Sequence, residues 1–401
     1  MENILAILLA GGAGERLSPL TKEIAKPAVP FGGAYRIIDF TLSNCINSDV
    51  RRILILTQYK SLELIRHIRH GWNILSPEMG EYIETLPPMK RVHEDWYQGT
   101  ADAVFQNYHS IEAEGSKQTL ILSGDHIYKM NYRDMVDWHN HHNADITIAT
   151  LQVGPEEAPR FGVMEIQEDF RIVGFEEKPR HGNPKRSRFD PSMISASMGI
   201  YVFNTNTLLE ALHDDAQNPD SSHDFAKDIL PKYLTRARVI AYDFHDINAK
   251  KMRYWRDVGT LDAYYEANMD LVAVTPEFNL YDEGWPIRTR AGQQPPAKFV
   301  FAEEGRRTGV AMDSIVSSGC IISGGRVMRS VLSPGVRVNS FCEVDYSILM
   351  PNVNIGRNAR LRNTIVNTGV SVPESVVIGF DKQADRDAGY TVTEGGITVV
   401  D

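Results

Sequence analysis

Cysteine is scarce in this sequence, which has three cysteines among 401 residues. Cys45, Cys320 and Cys342 lie far apart, are odd in number and form no CxxC pair. This pattern excludes a disulfide framework of the kind found in secreted domains. We therefore expect the protein to work in a reducing compartment, the cytoplasm.

The sequence also lacks a surplus of basic residues. It has 42 Lys and Arg against 52 Asp and Glu, so its formal net charge is −10. Nucleic acids and anionic membranes bind to broad basic surfaces. We expect neither as a partner, and a polyanionic ligand would have to meet a local basic site.

A signal peptide or membrane span is not expected at the first apolar run. This run, at residues 4–13, follows Met-Glu-Asn, which contains no cation. It is also far shorter than the roughly 20 residues that cross a bilayer. The run is therefore interpreted as a buried first strand.

Strand-like and helix-like segments alternate through the first two thirds of the chain. Continuous apolar runs at residues 3–9, 52–57 and 119–122 predict buried strands, and helical spacing predicts helices over residues 62–70 and 101–111. This alternation indicates an α/β fold, with a largely parallel sheet covered by helices on both faces. Ligands of such sheets bind at the carboxyl ends of the strands.

The composition changes after Val274, because residues 275–299 contain four prolines and little periodicity. This change predicts a linker at 276–300. It would separate an α/β domain at 1–275 from a second domain at 301–401.

Apolar residues recur every 17 positions in the second domain. The three rows are Ile315, Leu332, Leu349 and Val366; Ile321, Val338, Ile355 and Val372; and Val327, Val344, Leu361 and Ile378. A coil of three short strands, stacked four deep, explains all twelve positions as the hexapeptide pattern of a parallel β-helix. Its resemblance to known hexapeptide proteins implies a left-handed helix. All twelve histidines precede Asp246, which excludes the usual histidine-dependent acyltransferase and carbonic anhydrase chemistry of such helices.

A glycine-rich loop follows the first strand, in the sequence LLAGGAGERLSPLTKEIAKPAVP at residues 8–30. A Walker loop is excluded because the chain has no Gly-Lys dipeptide, and Leu17 stands where a dinucleotide fingerprint needs its third glycine. A plain tight turn remains the structural alternative. Arg16 and Lys26 favour a ligand-binding loop over a plain turn. A bidentate arginine, a lysine and accessible backbone amides together suit the phosphates of a triphosphate.

The loop and the AKPAVPFGG sequence after it resemble the signature of the sugar-1-phosphate nucleotidyltransferases. Other motifs resemble those of the glucose-1-phosphate adenylyltransferases within that group. They are RIIDFTLSNCINS (36–48), WYQGTADAVFQN (96–107), SGDHIYKMNY (123–132), RFGVM (160–164), FEEKP (175–179), ASMGIYVF (196–203), SSHDFAKDILP (221–231) and YWRDVGTLDAYYEANMDL (254–271). The resemblance covers nearly the whole chain. It implies a Rossmann-like nucleotidyltransferase domain followed by the left-handed β-helix.

The resemblance also implies a reaction. The adenylyl group of ATP would pass to α-D-glucose 1-phosphate, giving ADP-glucose and diphosphate for glycogen biosynthesis. Arg16, Lys26, Asp125 and Asp257 match catalytic positions of the family. The two aspartates would hold Mg²⁺, which takes few protein oxygens and keeps phosphate and water ligands. For either aspartate alone, a helix-cap or turn role is the alternative.

The resemblance implies two sets of substrate contacts. The residues expected to bind glucose 1-phosphate are Tyr97, Gly162, Glu177, Lys178 and Ser197. The residues expected to bind the nucleotide are Gly11, Gly12, Gly14, Gly99 and Thr100. Lys178 as a solvated surface lysine and Thr100 as a plain helix N-cap are the alternatives. His126 is not expected to act as a base, because the attacking phosphate is already ionised.

Assembly and regulation are also suggested by the resemblance. It implies a homotetramer, with the β-helix serving packing and assembly. Regulated relatives often carry adjacent cations where residues 22–24 read Lys-Glu-Ile, which argues against a strong sugar-bisphosphate activator site. Arg36, Arg51 and Arg52 remain candidate anion contacts, with surface ion pairing as the alternative.

Two other functions stay open. One is the same chemistry with another nucleotide or sugar, because base selection depends on the shape of the pocket. The other is a non-catalytic regulatory subunit, which occurs among relatives of the family. The presence of Arg16, Lys26, Asp125, Lys178 and Asp257 favours a catalytic chain.

Overall fold

The computed structural model describes residues 3–12, 14–88, 96–179, 184–248, 253–303 and 306–401. The strands of the N-terminal region are β1 (Ile4–Ala10), β2 (Pro30–Phe31), β3 (Tyr35–Arg36), β4 (Arg52–Thr57), β5 (Tyr82–Leu86), β6 (Gln118–Ser123), β7 (His126–Tyr128), β8 (Ile146–Val153), β9 (Gly162–Ile166), β10 (Ile172–Glu177), β11 (Ile194–Asn204), β12 (Val239–Asp243) and β13 (Trp255–Asp257). The α-helices are α1 (Ile37–Asn47), α2 (Leu62–Gly71), α3 (Thr100–Phe105), α4 (Tyr108–Ala113), α5 (Tyr132–His141), α6 (Thr205–Ala216), α7 (Leu230–Tyr233), α8 (Leu261–Leu271) and α9 (Lys382–Asp387).

Among the described residues, a nine-stranded sheet forms the centre of the N-terminal region. Its main path is β10-β9-β11-β6-β1-β4-β5, and β8 and β12 join it beside β11. The strands β6, β1, β4 and β5 are parallel, as the sequence predicts. In contrast, β11 runs antiparallel to β6, β8 and β9. A continuous apolar run reports burial of a strand rather than its direction, so this reversal was not visible in the sequence.

Helices cover both faces of the sheet, which confirms the predicted α/β architecture. On one face, α1, α2 and α5 contribute Leu42, Leu64 and Met135 to the core. On the other face, α3 and α6 contribute Val104 and Leu208. Among the described residues, no helix combines the length and the apolar character that crossing a bilayer requires.

The predicted helix over residues 101–111 is divided into α3 and α4. Asn107 lies at the break, where its Nδ2 donates hydrogen bonds to the Ala103 carbonyl at 2.8 Å and to the Tyr97 hydroxyl at 3.1 Å. Short polar side chains that bond to nearby backbone groups compete with helical structure. The hydrogen bond from Asn107 also helps to position Tyr97, one of the predicted site residues.

The C-terminal region is built from short strands, which pair in parallel except that the last two pair antiparallel with each other. They are β14 (Lys298–Val300), β15 (Val310–Met312), β16 (Ile315–Val316), β17 (Ile321–Ser323), β18 (Arg326–Met328), β19 (Val331–Leu332), β20 (Arg337–Val338), β21 (Glu343–Asp345), β22 (Ile348–Leu349), β23 (Asn354–Ile355), β24 (Arg360–Arg362), β25 (Thr364–Val366), β26 (Ser371–Val372), β27 (Val377–Ile378), β28 (Thr391–Val392) and β29 (Thr398–Val400). Three sheets run along the stack, with the orders β14-β17-β20-β23-β26, β15-β18-β21-β24-β27 and β16-β19-β22-β25-β29-β28. This arrangement is consistent with the predicted left-handed β-helix.

The predicted rows of inward-pointing residues hold from the second coil onward. In the first coil, the first two rows begin at Val316 and Ile322, which pair with Leu332 and Val338. The predicted positions, one residue earlier in each row, were wrong. The cause is the corner at residues 324–325, which is one residue shorter than the same corner in the next coil.

Residues with left-handed backbone stack at the three corners of the β-helix. One corner contains Gly324, Phe341, Asn358 and Ser375; a second contains Gly319, Gly335, Asn352 and Gly369; and a third contains Asp313, Arg329, Tyr346 and Asn363. Their φ angles lie between +43° and +77°, a region that glycine and asparagine adopt most readily. The same local geometry therefore turns the chain in every coil.

A shared apolar cluster joins the two regions. Leu261 and Tyr265 of α8 pack in it together with Ile348 and Ile365 of the β-helix. The Tyr265 hydroxyl also donates a hydrogen bond to the Tyr346 carbonyl at 2.7 Å. The β-helix thus lies against the helix that follows β13.

We expect the interior of the β-helix to determine its stability. Val344 is 1% exposed in the apolar interior, whereas Val377 on the outer surface is 49% exposed. Val344→Ala should lower the free energy of unfolding by about 2 kcal/mol, because it removes buried methyl groups and leaves a cavity. Val377→Ala is the matched control and should change it by less than about 0.5 kcal/mol. Urea denaturation followed by circular dichroism would test this, and equal effects of the two substitutions would contradict it.

Candidate active site

An ion-pair triangle of Lys26, Asp125 and Asp257 forms the centre of the site. Lys26 Nζ lies 2.7 Å from Oδ2 of Asp125 and 3.0 Å from Oδ1 of Asp257. Lys26 is only 7% exposed, whereas each carboxylate side chain is 29% exposed. The structure therefore brings together three predicted site residues that are distant in the sequence, and it leaves the carboxylates accessible.

Different elements deliver the three side chains. Lys26 begins a 3₁₀ turn after the glycine loop, Asp125 follows the carboxyl end of β6, and Asp257 ends β13. The strand β13 pairs antiparallel with β7, which places Asp257 opposite His126. Asp125, directly before β7, and Asp257, the last residue of β13, thus lie close together at one end of the two-stranded β7–β13 ribbon.

The surroundings of Lys26 and Asp125 favour the charged form of each group. Burial alone would lower the pKa of Lys26, but the charges of Asp125 and Asp257 outweigh it and raise that pKa. Burial likewise opposes ionisation of Asp125, yet His126, Lys26 and a hydrogen bond from Ser123 hold its pKa well below the usual range. The site is therefore suited to binding charged groups rather than to exchanging protons with them.

The donor atoms around the triangle fit a divalent cation. Asp125, His126 and Asp257 each offer one ligand atom, and these atoms lie within 4.8 Å of one another. Carboxylate oxygens and an imidazole nitrogen are ligands that divalent metals accept. The ammonium of Lys26 lies between the two carboxylates and compensates the same negative charge that a metal ion would compensate.

Arg16 lies on the side of the triangle formed by Asp257. A Cβ at Gly259 would be 3.1 Å from Nη2 of Arg16 and 3.0 Å from Oδ1 of Asp257, so Gly259 leaves room for both groups. Arg16 is exposed to solvent. Its guanidinium therefore adds an accessible positive charge beside the buried ammonium of Lys26.

Gly14 shapes the loop that carries Lys26. Its φ angle is +64°, and a Cβ there would lie 2.9 Å from the Cβ of Lys26 and 3.1 Å from Cγ2 of Thr21. A side chain at this position would be strained and would displace Lys26. Gly14 packs behind the lysine, whereas Gly11 and Gly12 line the adjacent cavity.

This cavity has a volume of about 360 Å³ and adjoins the ion-pair triangle. Its lining includes Gly11, Gly12, Lys26, Gln58, Tyr97, Gly99, Thr100, Ser123, Asp125 and Asp224. Four of the five predicted nucleotide contacts therefore surround one space. Tyr97, predicted to contact the sugar phosphate, lines the same space.

Gly99 and Thr100 connect the cavity to a distant segment. A Cβ at Gly99 would lie 2.2 Å from the His223 carbonyl oxygen, so the close approach of the two backbones requires glycine. The helix α3 has Gly99 as its N-cap and begins at Thr100. The Thr100 hydroxyl donates to Oδ2 of Asp224 at 3.2 Å and accepts from the Phe225 amide at 3.1 Å.

Most of the predicted sugar-phosphate residues form a second group. Gly162 of β9 pairs in register with Glu177 of β10. Lys178 Nζ lies 3.1 Å from Oε1 of Glu177, and the Lys178 side chain is 57% exposed. Ser197 lies one position beyond the last β11–β9 pair, which places it opposite Gly162. The four residues therefore gather where β9, β10 and β11 meet.

A bulge in β11 brings the two groups close to each other. The pairing of β11 with β8 shifts register between Ser197 and Tyr201. Within this bulge, a Cβ at Gly199 would lie 4.0 Å from Cε1 of His126. The sugar-phosphate group therefore adjoins the ribbon that carries the two aspartates.

Sequence reasoning missed several polar neighbours of the site. Asp224 lines the cavity, and its Oδ1 accepts the amides of Ala226 and Lys227 at the start of a π-helix, Phe225–Ile229. Ser123 donates a hydrogen bond to Asp125. The Asp-Phe sequence at the start of an apolar segment was a visible capping signal for Asp224, but its place in the cavity depends on tertiary structure.

The candidate anion-binding arginines have partners within the chain. A guanidinium nitrogen of Arg36 donates to the carbonyl of Ala28. Arg51 pairs with Asp49 at 3.1 Å, and Arg52 lies 3.7 Å from Glu114. These contacts agree with the alternative of surface ion pairing for Arg51 and Arg52.

Comparison with known families gives two matches along the chain. Residues 5–273 match the nucleotidyl transferase family, and residues 295–400 match the GlmU-like C-terminal hexapeptide family. Nucleotidyltransferases of this kind generally use a divalent metal, which agrees with the donor set at the triangle.

Curated relatives match over the full chain. A glucose-1-phosphate adenylyltransferase of Koribacter versatilis is 59% identical over 401 residues, which cover 100% of this chain and 95% of the relative. Proteins of the same name from Rhodopirellula baltica and Paramagnetospirillum magneticum are 54% and 52% identical, with 100% of this chain and 90% and 94% of the relatives covered. With the ion-pair triangle and its cavity, these matches show that the chain belongs to the nucleotidyl transferase family, and within it to the glucose-1-phosphate adenylyltransferases.

Proposed function

We propose that the chain transfers the adenylyl group of ATP to α-D-glucose 1-phosphate, forming ADP-glucose, the glucosyl donor for glycogen biosynthesis. The observation that carries this proposal is the Lys26–Asp125–Asp257 triangle, because two of its residues line a cavity that four predicted nucleotide contacts surround. The names of the full-length relatives support the choice of ATP and glucose 1-phosphate.

The triphosphate of ATP would bind on the cavity side. The bare backbones of Gly11 and Gly12 let amide groups approach phosphate oxygens closely. Lys26 and Arg16 supply positive charge where the diphosphate leaves. Gly99 and Thr100 form the opposite wall, near the rest of the nucleotide.

The sugar phosphate would bind on the Lys178 side. The ammonium of Lys178 is exposed enough to contact the phosphate, and Glu177 beside it can accept hydrogen bonds from sugar hydroxyls. The Ser197 hydroxyl and the backbone at Gly162 complete this group. The β11 bulge lies next to His126, so a sugar bound at this group would present its phosphate toward the triangle.

The reaction then requires one displacement at phosphorus. A phosphate oxygen of glucose 1-phosphate attacks the α-phosphorus of ATP in line, and a new oxygen–phosphorus bond forms. The bond between the α-phosphorus and the oxygen that bridges to the β-phosphate breaks, and diphosphate leaves. Because the attacking phosphate is already ionised, the chain contributes positioning and charge neutralisation rather than a base.

We propose Mg²⁺ as the metal, held by Asp125 and Asp257, because carboxylate oxygens are the ligands that this ion prefers. When bound, it would neutralise negative charge on the phosphates of ATP. The chain's own residues set the spacing of the two carboxylates through the β7–β13 ribbon.

We further propose a homotetramer in the cytoplasm, with domains at 1–275 and 301–401 joined by 276–300. All three cysteines are free and buried, which suits a reducing compartment. Exposed aromatic residues on the β-helix, including Phe341 and Phe380, offer apolar surface that assembly would cover.

The substrates can be identified directly. Purified protein with Mg²⁺ should release diphosphate fastest with ATP and glucose 1-phosphate, in a matrix of nucleoside triphosphates and sugar 1-phosphates. A higher rate with another pair would replace the proposed substrates within the same chemistry. Absence of release with every pair would instead support a non-catalytic subunit.

Asp125→Asn should lower kcat by about 100-fold or more, because an amide cannot match the charge of Lys26 or hold a divalent cation as tightly. Steady-state kinetics at saturating substrates measures this effect. Asp134→Asn, on the exposed surface of α5, is the control and should keep the parent rate. A near-normal kcat for Asp125→Asn would remove Asp125 from the catalytic role.

Lys178→Ala should raise the KM for glucose 1-phosphate by about 100-fold and change the KM for ATP little, since a charge-assisted hydrogen bond to one substrate is lost. Lys185→Ala removes another exposed lysine, which pairs with Glu165 at 3.4 Å, and serves as the control. Equal increases in both KM values would argue against a sugar-phosphate contact.

A further inference from the structure

The β7–β13 ribbon begins directly after Asp125 and ends with Asp257, but it lies outside the nine-stranded sheet. Each strand has three residues, and within the described part of the chain the two strands pair only with each other. A two-stranded ribbon is marginally stable by itself. Asp125 is held by the end of β6, where the Gly124 amide donates to the Leu9 carbonyl at 3.0 Å. The position of Asp257 relative to Asp125 therefore depends on how the ribbon is held against its surroundings.

Lys129, the residue directly after β7, makes unusual contacts of this kind. Its side chain is fully buried, which is rare for lysine. Lys129 Nζ donates to the Asn279 carbonyl at 2.7 Å and to Oδ2 of Asp282 at 2.9 Å, and it lies 5.4 Å from the centre of the Phe278 ring. Burial lowers the pKa of Lys129, so the ammonium depends on these partners for compensation.

The partners of Lys129 belong to residues 276–290, which we call the strap. Asp282 also organises the strap itself, because its Oδ1 accepts the amides of Gly284 and Trp285. The indole of Trp285 then donates to Oδ1 of Asn44 in α1 at 2.9 Å. The strap is therefore fixed to α1 before the chain enters the β-helix.

Asn44 holds the same end of β7 from the other side. Its Nδ2 donates to the Tyr128 carbonyl at 3.1 Å, and its Oδ1 accepts the Met130 amide at 3.2 Å. These two backbone groups flank Lys129. The end of the ribbon is thus held between α1 and the strap, and Lys129 is its charged contact with the strap.

We propose that Lys129 is a positioning residue for the metal site: its ion pair with Asp282 anchors the β7–β13 ribbon to the strap and so fixes the separation of Asp125 and Asp257. This role rests on the proposed metal-dependent transfer. The ammonium of Lys129 contacts the strap rather than the ion-pair triangle, so it would act through the backbone of β7.

Titration with Mn²⁺ alone tests the role without a catalytic assay. Lys129→Met and Asp282→Ala should each weaken Mn²⁺ binding by about 10-fold in calorimetry on the full chain, as loss of an outer support for metal ligands commonly does. Asp282→Asn keeps an acceptor for Lys129 and should recover part of the affinity. In the diphosphate assay, the half-saturating Mg²⁺ concentration should rise by a similar factor, with little change in the KM for glucose 1-phosphate.

Asp345→Ala is the matched control, because it removes the carboxylate partner of Arg329, 2.7 Å away in the β-helix. It should leave Mn²⁺ affinity unchanged. If Asp282→Ala lowers the melting temperature but binds Mn²⁺ like the parent, Lys129 is merely structural and the inference is overturned. If Lys129→Met does not fold, Asp282→Ala decides the question. If the parent protein releases no diphosphate, the proposed function falls while the Mn²⁺ titration still tests the positioning role.

Discussion

The contact of the Lys26 ammonium with two carboxylates is the interaction on which the site depends. Asp125 and Asp257 come from distant parts of the chain, and two partly buried carboxylates at this separation would repel each other without a shared positive charge. The fold supplies that charge from the glycine loop, where Gly14 leaves space for the lysine. The end of β6, the glycine loop and the β7–β13 ribbon therefore depend on one another. Moving any one of them would leave a charge of Lys26, Asp125 or Asp257 without its partner.

Sequence patterns located much of this arrangement. The strand at Arg52–Thr57 has the predicted bounds, and ordered motifs identified the residues that meet at the triangle. The antiparallel direction of β11 was not predictable, because burial on both faces gives the same apolar run in either direction. The position of Asp224 in the cavity could not be predicted either. The sequence shows that Asp224 can cap a helix, but it does not show that the cap also lines a cavity.

The proline-rich segment shows another limit of sequence patterns. It has no helical or strand period, so its composition indicates only a connection between domains. In the structure, the side-chain Nδ2 of Asn47 donates to the Pro286 carbonyl, and the Thr289 hydroxyl donates to Oδ2 of Asp39. The backbone amide of Arg288 donates to the Ser43 hydroxyl. Irregular backbone can be as firmly bonded as a helix when side chains of a neighbouring element satisfy its polar groups. Only the tertiary structure shows which connections are of this kind.

The apolar cluster shared by α8 and the β-helix has a consequence for cooperativity. Leu261, Tyr265, Ile348 and Ile365 lose their burial together if either region moves away. Separating the regions would expose apolar surface on both sides, at a free-energy cost that grows with the area uncovered. We therefore expect the two regions to unfold together, and an isolated N-terminal fragment would expose apolar surface where the β-helix had packed.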